Sequence, residues 1–274
     1  MKILVTNDDG YTAKGLHTLV ETLLPYGEIT VVAPKKPQSG MSMAVSMGLR
    51  PIAVRRLGKA EGADWWYLDG TPASCIKFGI DNIFHPQMPD LVVSGINHGS
   101  NAATAALYSG TLGAAMEGAV NGIPAIGVSL DSFDPDADFS AVRELFPKIL
   151  ERLLPDMERR SGLYYNINFP GLPTDRILGI RPAAMGMAHW EREYRPYGEF
   201  VSSIGRTPDA EAQAYLDSAL DDERIYVMAG DFTSDEGNPH DADHLMLEEG
   251  YVTVTPLGID STDRKELERL CATI

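Results

Sequence analysis

Apolar residues in this chain come in short runs, each closed by a polar or glycine-rich stretch. The first run, Lys2–Thr6 (KILVT), starts almost at the initial methionine and ends at Asn7-Asp8-Asp9-Gly10. A run of this length bounded by a turn signal predicts a central parallel strand, covered on both faces. Residues 12–24 predict a helix, and residues 28–33 (EITVVA) a second strand. Strand, helix, strand in this order is a βαβ unit, nearly always right-handed, so the loop at 34–42 returns beside Asp8 and Asp9.

Further along, residues 44–69 are rich in β-formers and predict an extended hairpin. Thr71 and Pro72 predict a helix start, as N-cap and first helical position. Residues 91–93 predict a buried strand opening into the loop GINHGSN, residues 108–118 lead into a helix of small residues, and PAIGVSL predicts the next strand. An amphipathic helix follows over 139–154, with Val142, Leu145, Phe146, Ile149 and Leu153 on one face, then a strand over 164–169. Residues 176–206 turn β-like again, with aromatics at Trp190, Tyr194, Tyr197 and Phe200, and predict an accessory hairpin. Exposed apolar area of that kind marks an oligomer contact more often than a substrate pocket. Residues 207–224 and 231–243 are acidic and predict loops; 243–249 predicts a helix, 250–257 a final strand, and the tail a short helix. The alternation predicts an α/β fold with a mostly parallel sheet, as one domain over 1–274 with the accessory region at about 176–240. In open α/β sheets, function lies in the crevice beyond the carboxyl ends of the strands.

Asp8 and Asp9 stand at such a strand end. On a regular strand their side chains would point to opposite faces, so they share a site only if the backbone bends after Asn7, which Gly10 permits. Two carboxylates held close are tolerable when a cation lies between them or one keeps its proton. The hard-cation reading gives them Mg²⁺ or Mn²⁺. The plain alternative is a solvated turn with an Asp capping the next helix. Ser39-Gly40 in the second loop is either a neighbour of that cation or a simple turn. In the third loop, Asn97 offers a ligand oxygen, while Ser100, Asn101 and backbone N–H groups suit a phosphate. His98 is a candidate general acid or a loop histidine. Ser109-Gly110-Thr111 opens a helix and suits an approaching anion, or caps that helix for tight packing. His240-Asp241-Ala242-Asp243-His244 resembles a metal cluster in composition, but its spacing fits no standard site and it reads as a solvated loop.

Composition narrows the classes. The 274 residues are 44% hydrophobic and 23% charged, which is globular, and the formal charge of -16 excludes broad binding to nucleic-acid polymers. No apolar run approaches the roughly 18 residues that span a bilayer, and the first apolar run is too short for a secretory core. A cytoplasmic location is expected. Cys75 and Cys271 form no CxxC pair and are expected to be reduced and structural. Neither GxGxxG nor GxxxxGK[ST] occurs, which weakens dinucleotide and P-loop readings. The DxDxT of aspartyl-phosphate phosphatases is also absent, because Asp8 and Asp9 are adjacent.

Taken together, NDDG at 7–10, APxxxQSG at 33–40, DGTPASC at 69–75, SGINHGSN at 94–101, YSGTLGAAMEG at 108–118, NINFP at 166–170 and GYVTVTPL at 250–257 resemble the SurE family, the stationary-phase survival nucleotidases. The resemblance runs nearly the whole chain, in the family's order. It implies a Rossmann-like three-layer core and a divalent-metal-dependent phosphatase acting on nucleoside 5′- and 3′-monophosphates, with weaker exopolyphosphatase activity. It implies a homodimer or homotetramer built through extended hairpins and exchanged C-terminal segments. By motif position it places one Mg²⁺ or Mn²⁺ per subunit on Asp8, Asp9, Ser39 and Asn97, with Asp8 and Asp9 the catalytic pair. Substrate contacts would fall on Asn7, Gly40, His98, Gly99, Ser100, Asn101, Ser109, Gly110 and Thr111. One departure is visible: where the family commonly has Thr-Asp before the last strand, this chain has Ala242-Asp243. A non-catalytic nucleotide sensor using the same crevice is the rival of a different class.

Overall fold

Strand β1 (Lys2–Thr6) is buried on both faces, as its unbroken apolar run demands. Ile3 and Val5 face one core, and Leu4 faces another. The computed structural model describes every residue except 49, 50, 158 and 161. The part of the predicted 44–69 hairpin that falls on residues 49 and 50 thus lies outside the described residues. Two compact units divide the chain: residues 1–186 with 239–274, and residues 187–238.

In the larger unit β1 is followed by α1 (Lys14–Leu23), β2 (Glu28–Pro34), β3 (Val54–Ala60), β4 (Ala63–Leu68) and α2 (Pro72–Phe78). Next come β5 (Leu91–His98), α3 (Gly110–Val120), β6 (Ala125–Leu130), α4 (Ser140–Leu153), β7 (Leu163–Phe169) and β8 (Gly179–Pro182). Numbering the smaller unit's strands β9 to β12 and its helices α5 and α6, the larger unit closes with α7 (Asp243–Glu248), β13 (Tyr251–Gly258) and α8 (Arg264–Thr273).

The sheet has nine strands in the order β3-β4-β2-β1-β5-β6-β7-β13-β8. From β4 to β7 neighbouring strands are parallel, whereas β3 and β13 run antiparallel to their core neighbours. One core packs α1 and α4 side chains such as Leu16, Leu19, Val142 and Phe146 on one face of the sheet. The other packs Cys75 and Ile76 of α2 and Leu112 and Ala115 of α3 on the opposite face. The result is a three-layer, mostly parallel α/β fold, the class the alternation predicts. Chain order reverses between β1 and β5, so the crevice beyond their carboxyl ends is the topological switch point.

Local signals account for most element ends. Thr71 caps α2 by accepting from the Ser74 N–H, with Pro72 in the first turn. Helix α1 starts only at Lys14, with Ala13 at its N-cap and no side-chain cap, so neither Asp8 nor Asp9 is a helix cap. Cys75 is buried as expected, but Cys271 is exposed on α8 and packs in no core.

The smaller unit departs from its sequence reading. β9 (Ala188–Glu191) pairs antiparallel with β12 (Asp231–Ser234), and β10 (Tyr194–Pro196) with β11 (Tyr226–Met228). Between them Tyr197–Ser203 is a helix, α5, where aromatic spacing predicts strand, and Ala210–Ser218 is a helix, α6, where acidity predicts loop. Asp209 caps α6 through the Ala212 N–H, and Ala, Glu and Gln that follow are strong helix formers. Acidity alone is a poor loop signal when a cap precedes it.

Candidate active site

Three strand ends and the amino end of one helix converge on the switch point. After β1 the chain bends at Asp8 and Asp9, and the Asn7 side-chain amide closes the turn by donating to the Gly10 carbonyl at 3.0 Å. Gly10 takes a φ of 97°, which favours glycine. The bend places both carboxylates at one strand end, which extended backbone would not do. The β2 loop comes alongside, its Gln38 N–H donating to the Asp8 carbonyl at 2.7 Å. Ser39 and Gly40 follow directly and are exposed.

β5 contributes the third wall. Its register with β6 moves from Ser94–Gly127 to Asn97–Ser129, so one extra residue bulges from the strand just before Asn97. The bulge turns 97–99 toward the β1 turn: the His98 N–H reaches an Asp9 carboxylate oxygen at 3.4 Å. The Asn97 side-chain nitrogen donates to the Gly99 carbonyl at 2.7 Å, which leaves its amide oxygen as the open atom. The His98 ring stands edge-on to Phe139, and its Nδ1 is buried without a partner among the described residues.

The fourth wall is the first turn of α3. Ser109 caps it by accepting from the Leu112 N–H at 3.1 Å, and the Thr111 hydroxyl donates to Asp8 Oδ1 at 2.5 Å. Approach is this close because residue 110 is glycine. A Cβ there would lie 2.9 Å from Asp8 Cβ and 3.0 Å from its Oδ2. Asp8 is only 4% exposed. Burial, and after it the neighbouring charge of Asp9, pushes its carboxyl up to about 7, while the Thr111 hydroxyl and backbone N–H groups pull the other way. Asp9 is raised too, chiefly by burial, with His98 opposing the rise.

Asn101, by contrast, is tied into the fold. Its side-chain nitrogen donates to Ser129 at 2.8 Å, its backbone N–H donates to Asn168 Oδ1 at 2.8 Å, and its carbonyl accepts from Asn166 at 2.8 Å. Ser100 reaches the same Asn168 oxygen at 3.4 Å, and its hydroxyl also accepts from the Ala102 N–H. Asn101 therefore has its backbone N–H and carbonyl and one side-chain N–H engaged by the fold. Asn166, Asn168 and Asp243 are the residues a sequence reading passes over. The two asparagines did carry a signal, being polar at period two on a strand otherwise buried.

Asp243 corrects the reading of 240–244 as a solvated loop. His240 is exposed, but Asp243 is fully buried and His244 nearly so. One oxygen of Asp243 accepts from the backbone N–H groups of Ala103 (2.9 Å), Gly186 (3.0 Å) and His244 (2.9 Å). It pins the loop just beyond Asn101, including Ala103 at a φ of 50°.

Among the described residues, no three His, Cys, Asp or Glu side chains are grouped to hold a metal. The site suits a cation through a mixed oxygen set instead. The Asn7 amide oxygen is buried without a partner among the described residues, the Asn97 amide oxygen is open, and both carboxyls are raised where an added positive charge would lower them. Such donors suit a hard divalent ion.

The fold and this site define a Rossmann-like α/β protein with an acidic oxygen-donor site at its switch point. The profile described as Survival protein SurE matches residues 3–192, and the chain belongs to the SurE family. It is 38% identical over 265 residues to a protein from Christiangramia forsetii named 5'-nucleotidase SurE, covering 95% of this chain and 92% of the relative. A protein of the same name from Syntrophobacter fumaroxidans is 36% identical over 270 residues, covering 98% of each chain. The crystal structure of the SurE protein from Aquifex aeolicus superposes with a TM-score of 0.77 at 28% identity, over 100% of this chain and 99% of that one.

Proposed function

We propose that this chain is a divalent-metal-dependent phosphomonoesterase that hydrolyses nucleoside 5′- and 3′-monophosphates, with exopolyphosphatase as a weaker activity. The observation that carries the reading is the pairing of Asp8 and Asp9 against the first turn of α3, with the names of the relatives in support. A site that only bound anions would not aim two carboxylates at them, so a nucleotide sensor is the poorer fit.

Asp8, Asp9, Ser39 and Asn97 would hold one Mg²⁺ or Mn²⁺. When bound, such an ion supplies Lewis-acid polarisation of the phosphoryl group and a route to a nucleophile from water at neutral pH. The chain's own groups do the rest. Thr111 engages one Asp8 oxygen, and the other, beside Gly110, would be the one left for the ion. The amino end of α3 faces the developing charge on the phosphoryl oxygens with its positive dipole end, and Gly110 permits that approach. Gly40 and Gly99 would line the phosphate with backbone alone; the His98 backbone N–H reaches Asp9, and its imidazole is the candidate for passing a proton to the leaving alkoxide.

We also propose that the chain works as a homodimer or homotetramer in which residues 187–238 are covered by a second copy. This unit leaves Tyr194, Tyr215, Leu220, Tyr226 and Met228 exposed.

The deciding experiment is phosphate release from 5′- and 3′-AMP and GMP by chelator-stripped protein, with Mg²⁺ or Mn²⁺ restored separately. Release only after metal is restored is expected. A folded, metal-loaded protein that binds these nucleotides but releases no phosphate would replace hydrolysis with sensing.

A further inference from the structure

Beyond the carboxyl ends of β2 and β4 lies a cavity of about 280 Å³ that the phosphoryl site does not use. Gln38, Val45, Ser46, Met47 and Ile52 form much of its wall, and Asp69 and Gly70, just past the end of β4, complete it. Its volume is near the small end of ligand sites, which begin at roughly 300 Å³, so it suits one flat ring system. A larger hollow of about 670 Å³ lies among Met1, Lys2, Glu28 and Asp90, at the amino ends of the strands. That is the wrong end of the sheet for this chemistry.

Position ties the smaller cavity to Asp8. Gln38 belongs to both, lining the cavity while its N–H holds the Asp8 carbonyl. β4 is the second strand over from β1, with β2 between them. Two strand spacings make roughly 10 Å, about the reach of a nucleoside monophosphate from phosphorus to base.

The part of the wall over 42–46 is also held in place. Ser42 donates its N–H to the Tyr108 carbonyl at 3.0 Å, just before α3. The Thr71 hydroxyl donates to the Ala44 carbonyl at 2.6 Å, and the Ser46 N–H donates to the Ser74 hydroxyl at 2.8 Å, both at the start of α2. Chain anchored at three points loses little freedom when a ligand arrives.

The polar lining selects among bases. Val45, Met47 and Ile52 offer apolar faces to a ring, and the Asp69 carboxylate can only accept hydrogen bonds. Guanine presents two adjacent donors, N1–H and N2–H, to one carboxylate, whereas adenine presents a single donor group beside an acceptor. We propose that this cavity is the nucleoside subsite of the enzyme, that Asp69 reads the base, and that guanine is preferred. The proposal rests on the hydrolase reading above and names its substrate class.

The test compares kcat/KM for GMP, AMP and p-nitrophenyl phosphate, an ester without a base, in the wild type and in Asp69→Asn. Asp69 is exposed and its N–H bond to the Ala53 carbonyl is made by backbone, so the variant is expected to fold; thermal unfolding checks this. Wild type should favour GMP over AMP. In Asp69→Asn the ratio of GMP to p-nitrophenyl phosphate should fall by about tenfold, the lower end for losing a bidentate base contact, and the change should lie in KM. Ratios that do not move overturn the proposal. Calorimetry with guanosine, which has no phosphate, separates the two readings. If no ester is hydrolysed, the hydrolase reading fails, while guanosine binding weakened by Asp69→Asn still supports the subsite. Guanosine that binds both proteins equally, or neither, overturns it.

Discussion

At the level of single residues, the site depends on how Asp8 is held. Its carboxyl is buried beside a second carboxyl, and the Thr111 hydroxyl is the closest group that steadies it. Asp8→Asn keeps the shape and removes the charge. Phosphate release should fall by on the order of 10²–10³ in kcat, the scale of losing one charge-stabilising group; an Asn enzyme of full activity would sink the central claim. Thr111→Val removes the hydroxyl and keeps the volume. Mg²⁺ affinity, measured by calorimetry, should weaken by about tenfold or more, as when a group orienting a ligand is lost, and Thr111→Ser should restore it. If Val and wild type bind the ion alike, Thr111 only packs. That Asp8 and Asp9 carry chemistry was legible in the sequence, because adjacent carboxylates at a strand end need a reason. That Thr111 serves Asp8 was not, since the two are 103 positions apart.

At the level of elements, the catalytic loops are held from behind by parts of the chain with no chemical signature. Asn166 and Asn168 of β7 clamp both backbone groups of Asn101, and Asp243 gathers three N–H groups from three segments. Asp243→Ala would strand those buried donors. A loss of about 3 kcal/mol or more is expected in denaturant unfolding, since bonds to charged acceptors contribute more than neutral ones and unmade buried donors are costly. A loss under about 0.5 kcal/mol would show that the loop is held without it. The sequence reading missed this anchor because HDADH is polar and follows an acidic stretch. Polarity reports burial only on average, and a carboxylate surrounded by backbone donors is the exception. The element types of the parallel core were legible, since β1 and β6 are short apolar runs between turn signals and β7 is an apolar and aromatic segment interrupted only by Asn166 and Asn168. Helices α5 and α6 were not, because aromatic spacing and acidity outweighed the Asp209 cap.

At the level of the whole molecule, the two units differ in what they bury. The large unit encloses two cores, one on each face of its sheet, whereas Ala188 is the only buried apolar residue in 187–238 among the described residues. A unit with so little core has little of its own to hold its amides closed. Amide exchange in 187–238 is expected to be fast at low protein concentration and to slow as concentration rises, as a second copy covers it. Exchange that is fast at every concentration would exclude self-association through this unit. Amides of β1, β5 and β6 should be the slowest at all concentrations.

By itself the sequence determined the class of fold and the acidic strand end, because short apolar runs punctuated by polar turns admit little besides a buried parallel sheet. Its motifs also carried the family, which the profile match bears out. Only the tertiary structure decided which donors are spoken for. Ser109 uses its hydroxyl oxygen on a cap, Thr111 its hydroxyl on Asp8, and Asn101 its backbone N–H and one side-chain N–H on β7 and β6, so the polar groups left to face the crevice are fewer than the motifs suggest. The reason is that a side chain's availability depends on partners distant in the chain, and these meet it only when the sheet brings the strand ends together.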